Sequence, residues 1–176
     1  LGPGQPLRGF RDDNLLGCSW ARTMTRAPFT REPPDVRRQA LIEAAARILA
    51  AKGVAGASVR TICAEAGVSP GLLRHYFDGV DALVAATYEA TGARIDAALE
   101  AAVAAAGEGP RARLSAYLTA SFAPPVLDPD LLATWLAFWS LVKVDPAIAA
   151  IHRRTYAGYR ARLEELLGAC DPRVDA

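Results

Sequence analysis

The sequence has few of the residues from which disulfide frameworks and metal centres are built. Its 176 residues include three cysteines and two histidines. The cysteines, Cys18, Cys63 and Cys170, lie far apart, without a CxxC motif or a Cys/His cluster. Such spacing argues against a disulfide scaffold and against structural zinc, and it is typical of a reducing cytoplasm. We therefore expect a cytoplasmic protein that needs no metal and no cofactor.

Long uncharged hydrophobic runs are absent as well, although 52% of the residues are hydrophobic and only 22% are charged. No run is long enough to span a bilayer, and residues 1–23 contain no apolar stretch of signal-peptide length. We expect no membrane partner, and we predict that residues 1–33 form a disordered extension. In one interpretation Met24, the only methionine, is the natural start of the protein and residues 1–23 are an upstream addition.

Charge of either sign is nearly balanced overall, with a net charge of +1, but it is unevenly distributed. Residues 26–79 contain eight bases and five acids, whereas residues 80–176 contain nine bases and twelve acids. A basic front half is consistent with contact to a polyanion. A chance asymmetry of solvated faces explains the charge pattern equally well, so charge alone does not decide between the two interpretations.

Strand-like alternation of polar and apolar residues is nearly absent, whereas helical periodicity recurs from residue 35 onward. The first predicted helix ends at Gly53, and its expected inward face comprises Val36, Ala40, Leu41, Ala44, Ile48 and Leu49. Breaks at glycine and proline separate six further predicted helices, which cover residues 58–66, 70–77, 81–105, 110–122, 130–143 and 146–167. The sequence thus predicts an all-α fold.

Between residues 58 and 77, two short predicted helices are joined by Gly67-Val68-Ser69. Gly67 is suited to the left-handed conformation that reverses the chain, and Ser69 is a good N-cap for the second helix. A turn of this kind holds two helices at a steep angle and presents the second one to the major groove of DNA. His75 and Tyr76 are individually more typical of core packing, so the indication comes from the whole arrangement.

The same segment resembles the signature of the TetR family of transcriptional regulators. The matching residues are Ala66, Gly67, Val68, Ser69, Gly71, Leu73, Tyr76 and Phe77, with Ala51-Lys52-Gly53 before them and Asp81-Ala82-Leu83-Val84 after them. The resemblance implies a three-helix helix-turn-helix DNA-binding domain over residues 34–80 and an effector-binding and dimerisation domain over residues 81–176. Where the family usually has a phosphate-contacting lysine, this chain has Val80. The DNA-facing residues that the resemblance implies are Ser58, Arg60, Thr61, Ser69, Pro70, Gly71, Arg74, His75 and Tyr76.

Aromatic residues are concentrated in the C-terminal half, where Trp135, Phe138 and Trp139 lie at the helical spacing i, i+3 and i+4. Aromatic walls with hydroxyl tips bind organic cations and flat apolar ligands. One interpretation is therefore an effector pocket, and the other is ordinary packing in the core or at a dimer interface. The predicted pocket residues are Tyr117, Phe122, Trp135, Phe138, Trp139, His152 and Tyr156.

The Thr-Trp-Leu-Ala-Phe-Trp run at residues 134–139 and the Arg-Arg-x-Tyr segment at residues 153–156 resemble the C-terminal domain of the choline-sensing BetI branch of the family. The resemblance implies a homodimer through a four-helix bundle made from the last two helices of each subunit. We expect the final helix of that bundle to be missing from this chain. The penultimate helix is then expected to supply the apolar dimer contacts Ile148, Ile151, Tyr156, Tyr159, Leu163, Leu166 and Leu167.

Together these features predict a ligand-responsive repressor that binds palindromic, double-stranded operator DNA as a homodimer and is released by a small effector. An enzyme is not indicated, because the sequence has no catalytic-triad spacing, no metal-ligand pattern and no glycine-rich loop that follows a strand. The alternative is a helical ligand-binding or scaffold protein without DNA-binding activity.

Overall fold

The structure is a computed structural model that describes residues 33–171. The predicted disordered extension lies outside these residues except for Pro33, and so do residues 172–176. The described part contains seven α-helices and no strand, which confirms the predicted all-α fold. None of these helices is long and apolar enough to cross a membrane. They are α1 (Pro34–Gly56), α2 (Val59–Ala66), α3 (Pro70–Tyr76), α4 (Gly79–Ala105), α5 (Pro110–Ala120), α6 (Pro129–Leu141) and α7 (Pro146–Cys170).

Four of the described helices begin at short polar side chains that accept hydrogen bonds from the first turn. The Ser58 hydroxyl accepts from the Thr61 N–H at 3.2 Å, and the Thr61 hydroxyl accepts from the Ser58 N–H at 3.0 Å. This reciprocal pair is a capping box built with threonine where glutamate or glutamine is more usual. Ser69, Asp128 and Asp145 cap α3, α6 and α7, each of which has proline in its first turn.

The first hydrophobic cluster lies among α1, α2, α3 and the start of α4. Most of the predicted inward face of α1 is confirmed, but Val36 was predicted wrongly, because its side chain is 50% exposed. Val36 lies in the first turn of α1, ahead of Leu41, where burial on this helix begins. The buried members of the cluster are Leu41, Ile42, Ala44, Ala45, Ile48, Ile62, Cys63, Leu73, Phe77 and Leu83.

The second hydrophobic cluster lies among α4, α5, α6 and α7, and the ring of Tyr88 is at its centre. This ring is fully buried, stacks on Phe138 with 4.4 Å between centroids and meets Trp135 edge-on at 5.0 Å. Its hydroxyl is hydrogen-bonded to Nδ1 of His152 at 2.8 Å. Burial raises the pKa of Tyr88 to about 12, so this phenol is neutral at physiological pH.

Helix α7 packs against α4 and α5 and buries most of its apolar face inside the chain. Ile148, Ile151 and Leu166 are buried, and Tyr159 and Leu163 are partly buried against the second cluster. The prediction that these residues face a partner subunit is therefore wrong for the three buried ones, because their side chains are already covered within the chain. Less apolar surface on α7 is left for a dimer contact than its sequence indicates.

The contact between α4 and α7 is close and polar at several points. A Cβ atom at Gly92 would lie only 3.2 Å from Cγ2 of Thr155, so glycine permits the close approach of the two helices. The Tyr159 hydroxyl donates to the Gly92 carbonyl at 3.0 Å. The Arg162 guanidinium donates two hydrogen bonds to the Glu100 carboxylate, at 2.6 and 2.8 Å. Such a bidentate pair fixes the relative position of the two helices.

Helix α6 connects the two clusters, because it packs extensively against α1 and also contributes Trp135 and Phe138 to the second cluster. The buried Thr134 hydroxyl lies 2.8 Å from the Asp130 carbonyl of its own helix and 3.3 Å from the Ala46 carbonyl of α1. Helix α4 also enters both clusters, through residues 83 and 88. The predicted DNA-binding and effector-binding regions are thus linked by two helices.

Candidate nucleic-acid interface and effector groove

The turn between α2 and α3 has the conformation that the sequence predicts. Gly67 ends α2 with φ 65° and ψ 32°, in the left-handed region. The Val68 N–H then donates to the Cys63 carbonyl at 2.9 Å, and the half-buried Val68 side chain packs against the first cluster. The Ser69 hydroxyl accepts from the Leu72 N–H at 3.3 Å and starts α3. Local interactions therefore set the geometry of the two helices.

Helix α3 has a buried side and an exposed side. Leu73 is fully buried, and Phe77, just after the helix, is almost so. The opposite side exposes most of the predicted DNA-facing residues of α3, while Tyr76 is half-buried and meets the His75 ring edge-on at 4.9 Å. The exposed set consists of Ser69, Pro70, Gly71, Arg74 and His75.

The predicted DNA-facing residues of α2 divide into two groups. Ser58 and Arg60 are exposed, and the Arg60 side chain makes no hydrogen bond or ion pair with the described residues. The Thr61 hydroxyl is instead engaged within the protein, because it donates to the Gly56 carbonyl at 2.7 Å besides taking part in the capping box. Thr61 therefore has a clear structural role at the start of α2.

Two contacts that the sequence does not indicate hold α1 against the helix-turn-helix formed by α2 and α3. The guanidinium carbon of Arg38 lies 5.0 Å from the centroid of the Phe77 ring, which is cation–π geometry. The Arg47 side chain donates to the Glu65 carboxylate at 2.6 Å and so joins α1 to α2. Both pairs join residues far apart in the chain, and no periodic pattern in the sequence marks them.

A groove of about 620 Å³ opens among α4, α5, α6 and α7. Five of the seven predicted pocket residues line it: Tyr117, Phe122, Trp135, Trp139 and Tyr156. Its size falls within the range of sites for drug-sized ligands. The other lining residues are Ile95, Leu99, Leu118, Ser121, Val126, Leu127, Leu131, Leu132, Tyr159, Arg160 and Leu163.

Phe138 and His152, which were also predicted to border the pocket, do not line this groove. Phe138 is fully buried under Tyr88, and His152 is hydrogen-bonded to the Tyr88 hydroxyl behind the groove wall. Successive residues of an α-helix are about 100° apart, so Phe138 and Trp139 diverge by that angle. One ring points to the core, and the other reaches the groove with 47% of its surface exposed.

The polar tips of the groove's aromatic side chains are largely engaged within the protein. The Trp135 Nε1–H donates to the Tyr156 hydroxyl at 3.1 Å, and the Tyr117 hydroxyl donates to the Tyr159 carbonyl at 3.3 Å. Burial raises the pKa of Tyr117, and the negative charge of Asp96 adds to that rise. Apart from Arg160, the groove therefore presents mainly neutral aromatic and aliphatic surface.

Two family models match the chain, one at each end of the described part. Residues 41–87 match the model for bacterial regulatory proteins of the tetR family. Residues 110–176 match the model for the C-terminal domain of the BetI-type transcriptional repressor. The first match contains α2, α3 and the turn between them, and the second contains most of the groove-lining residues.

Individual relatives agree with these models. The HTH-type transcriptional regulator BetI of Burkholderia thailandensis is 32% identical over 137 residues, which cover 76% of this chain and 70% of the relative. BetI regulators from Burkholderia mallei and from Paraburkholderia phymatum are 34% and 33% identical, and the chain spans 61% and 74% of their lengths.

Solved structures show the same architecture. A transcriptional regulator from Pseudomonas aeruginosa PAO1 is 46% identical and superposes with a TM-score of 0.75, over 84% of this chain and 71% of the other. A regulator from Saccharomonospora viridis, solved in complex with choline, has a TM-score of 0.66 at 18% identity, over 79% and 72% of the two chains, and supports the fold alone. The sequence and structural matches together show that the chain belongs to the TetR family of bacterial transcriptional regulators and carries a BetI-type C-terminal domain.

Proposed function

We propose that the chain is a ligand-responsive repressor that binds palindromic operator DNA as a homodimer in the cytoplasm and leaves the DNA when a small effector occupies the groove. The DNA-binding part of this proposal is supported by the exposed side of α3. There, Arg74 and His75 extend from a short helix whose other side is anchored by Leu73. Exposed basic and hydroxyl-bearing side chains on such a helix suit phosphate and base-edge contacts in the major groove.

A gel-shift titration tests this proposal against the alternative of a helical scaffold without DNA binding. Promoter fragments from the chain's own gene and its neighbours are compared with unrelated DNA of equal length, at matched salt. A repressor retards one promoter fragment at protein concentrations that leave unrelated DNA free. No retardation of any fragment would favour the scaffold alternative, and equal retardation of all fragments would contradict a sequence-specific repressor.

For the effector, the sequence analysis favours an organic cation, since tryptophan and tyrosine faces attract cations. The groove supplies such faces through Trp135, Trp139 and Tyr156. Choline is bound to the related regulator from Saccharomonospora viridis, which makes a quaternary ammonium compound a natural first ligand to test here. The described residues that line the groove nevertheless include no carboxylate that would balance a positive charge.

Helix α6 is the element that we expect to carry the signal from the groove to the DNA-binding helices. Trp135 lines the groove, and the neighbouring Thr134 places its hydroxyl 3.3 Å from the Ala46 carbonyl in α1. A ligand that displaces Trp135 would therefore move α6 relative to α1. Coupling between sites requires a differential contact of this kind, and it is typically about 1–3 kcal/mol in free energy.

Thr134→Val should reduce that coupling while leaving both binding events largely intact. Valine keeps the shape of threonine but removes the hydrogen bond to α1, so ligand and operator affinities measured separately should change little. The factor by which ligand weakens operator binding should fall by about threefold or more. Ser115→Ala, an exposed change on α5, is the control. A Thr134→Val protein with undiminished release by ligand would exclude this route.

The homodimer is proposed from family membership and from the need for two recognition helices on a palindrome. Because α7 buries Ile148, Ile151 and Leu166 inside its own chain, we expect the contact through this helix to be weak. Sedimentation equilibrium should show a monomer–dimer equilibrium in the micromolar range, and operator DNA should promote the dimer. A strict monomer, both free and on operator DNA, would contradict the proposal.

A further inference from the structure

We propose that the groove selects an apolar carboxylate, such as a medium-chain or arylalkyl acid, with its tail among the aromatic side chains and its carboxylate at Arg160. This inference rests on the proposed effector function and specifies the chemical class of the ligand. It differs from the organic cation that the sequence pattern favours, and it follows from the charge of the side chains around the groove.

The interior of the groove suits an apolar tail. Ile95, Leu99 and Leu163 belong to the hydrophobic cluster or pack against it, and Trp135 and Trp139 add flat aromatic surface. The volume of about 620 Å³ is sufficient for a drug-sized molecule. Burying apolar surface is the main source of affinity in such a site, at roughly 25 cal/mol per Å² removed from water.

The rim of the groove suits a negative head group. Among the described residues that line the groove, Arg160 is the one with a formal charge, and that charge is positive. Burial raises the pKa of Tyr117 and Tyr159, and the negative charge of Asp96 adds to that rise, but Asp96 is not a lining residue. A quaternary ammonium head would therefore meet a like charge at the rim without a lining carboxylate to offset it.

The Arg160 guanidinium is available to a ligand. Its one ion pair among the described residues is with Glu164, at 3.4 Å from Nε to the carboxylate, and both side chains are exposed. An exposed pair of this kind contributes little, and it leaves the terminal nitrogen atoms of the guanidinium free to donate. Arginine binds carboxylates with two parallel hydrogen bonds, a geometry that an ammonium or hydroxyl head cannot use.

Three ligands built on a ten-carbon chain separate the contributions of tail and head: decanoate, decanol and decyltrimethylammonium. Each is titrated at neutral pH, low salt and submicellar concentration, and binding is followed by the fluorescence of Trp135 and Trp139. Decanoate should bind about tenfold more tightly than the cation, with decanol between them, and added salt should reduce this spread. A preference for the cation, or equal binding of the three, would overturn the proposal.

Two variants assign these effects to head and tail. Arg160→Gln should weaken decanoate about three- to fivefold and leave decanol unchanged, whereas Arg153→Gln on the same helix, outside the groove, should change neither. Trp139→Leu, at a half-exposed position, should weaken all three ligands together. If neither Arg160→Gln nor Trp139→Leu changes decanoate binding, the proposed binding site is wrong.

A gel shift without ligand tests DNA binding separately. Failure of this inference is therefore distinguishable from failure of the proposed regulator.

Discussion

Arg74→Ala should weaken operator binding by about 5- to 150-fold for each half-site, which corresponds to the roughly 1–3 kcal/mol of one lost base or phosphate contact. The Arg74 side chain lies on the exposed side of α3 and makes no hydrogen bond or ion pair with the other described residues. Its removal therefore takes nothing from the hydrophobic core. The melting temperature should stay within about two degrees of wild type, because surface substitutions of this kind rarely exceed ±0.5 kcal/mol.

The control for this variant is Arg111→Ala, which makes the same change of charge at an exposed position on α5. Fluorescence anisotropy with labelled operator, at several salt concentrations, separates two origins of the Arg74 effect. A lost phosphate contact weakens all DNA sequences alike and lowers the salt slope by about one, whereas a lost base contact relaxes sequence preference. Equal operator affinity of wild type and Arg74→Ala would mean that α3 does not contact the DNA.

Gly67→Val should lower the melting temperature by about 4–12 °C. Gly67 has a φ of 65°, and a Cβ atom there would meet nothing within 4 Å, so the expected loss comes from backbone strain rather than from a clash. A β-branched residue in the left-handed region costs about 2–3 kcal/mol. For a chain of this size each kcal/mol corresponds to roughly 2–4 °C.

Two control variants distinguish backbone strain at residue 67 from a general effect of replacing glycine. Gly67→Asn should lose less stability than Gly67→Val, since asparagine tolerates the left-handed region. Gly71→Ala should preserve or raise the melting temperature, because Gly71 lies within α3 and a Cβ atom there would make only an ordinary contact, at 3.9 Å, with Oγ of Ser69. Equal melting temperatures for Gly67→Val and wild type, measured by thermal unfolding, would show that this turn does not need a left-handed residue.

The helix-turn-helix unit could be predicted closely from the sequence because local interactions determine it. Ser58 and Ser69 cap the helices that follow them, and Gly67 supplies the left-handed turn between them. The capping box lacks its usual sequence signature, because Thr61 takes the position where glutamate or glutamine is more common. Here the nearest neighbours in the chain are also the nearest neighbours in space.

The groove could be predicted only in part, because it depends on how distant helices pack. The spacing of Trp135, Phe138 and Trp139 indicates one aromatic face, but the position of α7 and the ring of Tyr88 decide which of these side chains is covered. Tyr88 itself stands in an alanine-rich stretch with no pattern that marks it as the centre of the cluster. The coverage of Ile148 and Ile151 by neighbouring helices is a tertiary property of the same kind.

A footprint on the promoter fragment that shifts in the gel tests the central claim most directly, since it reports where the protein lies on the DNA and with what symmetry. The predicted result is protection of a palindromic segment whose two half-sites are centred about 10 base pairs, or a multiple of that, apart. Arg74→Ala should abolish this protection at the wild-type concentration, and Arg111→Ala should retain it. Protection without inverted repetition, or protection that survives Arg74→Ala unchanged, would contradict a dimeric regulator that binds through α3.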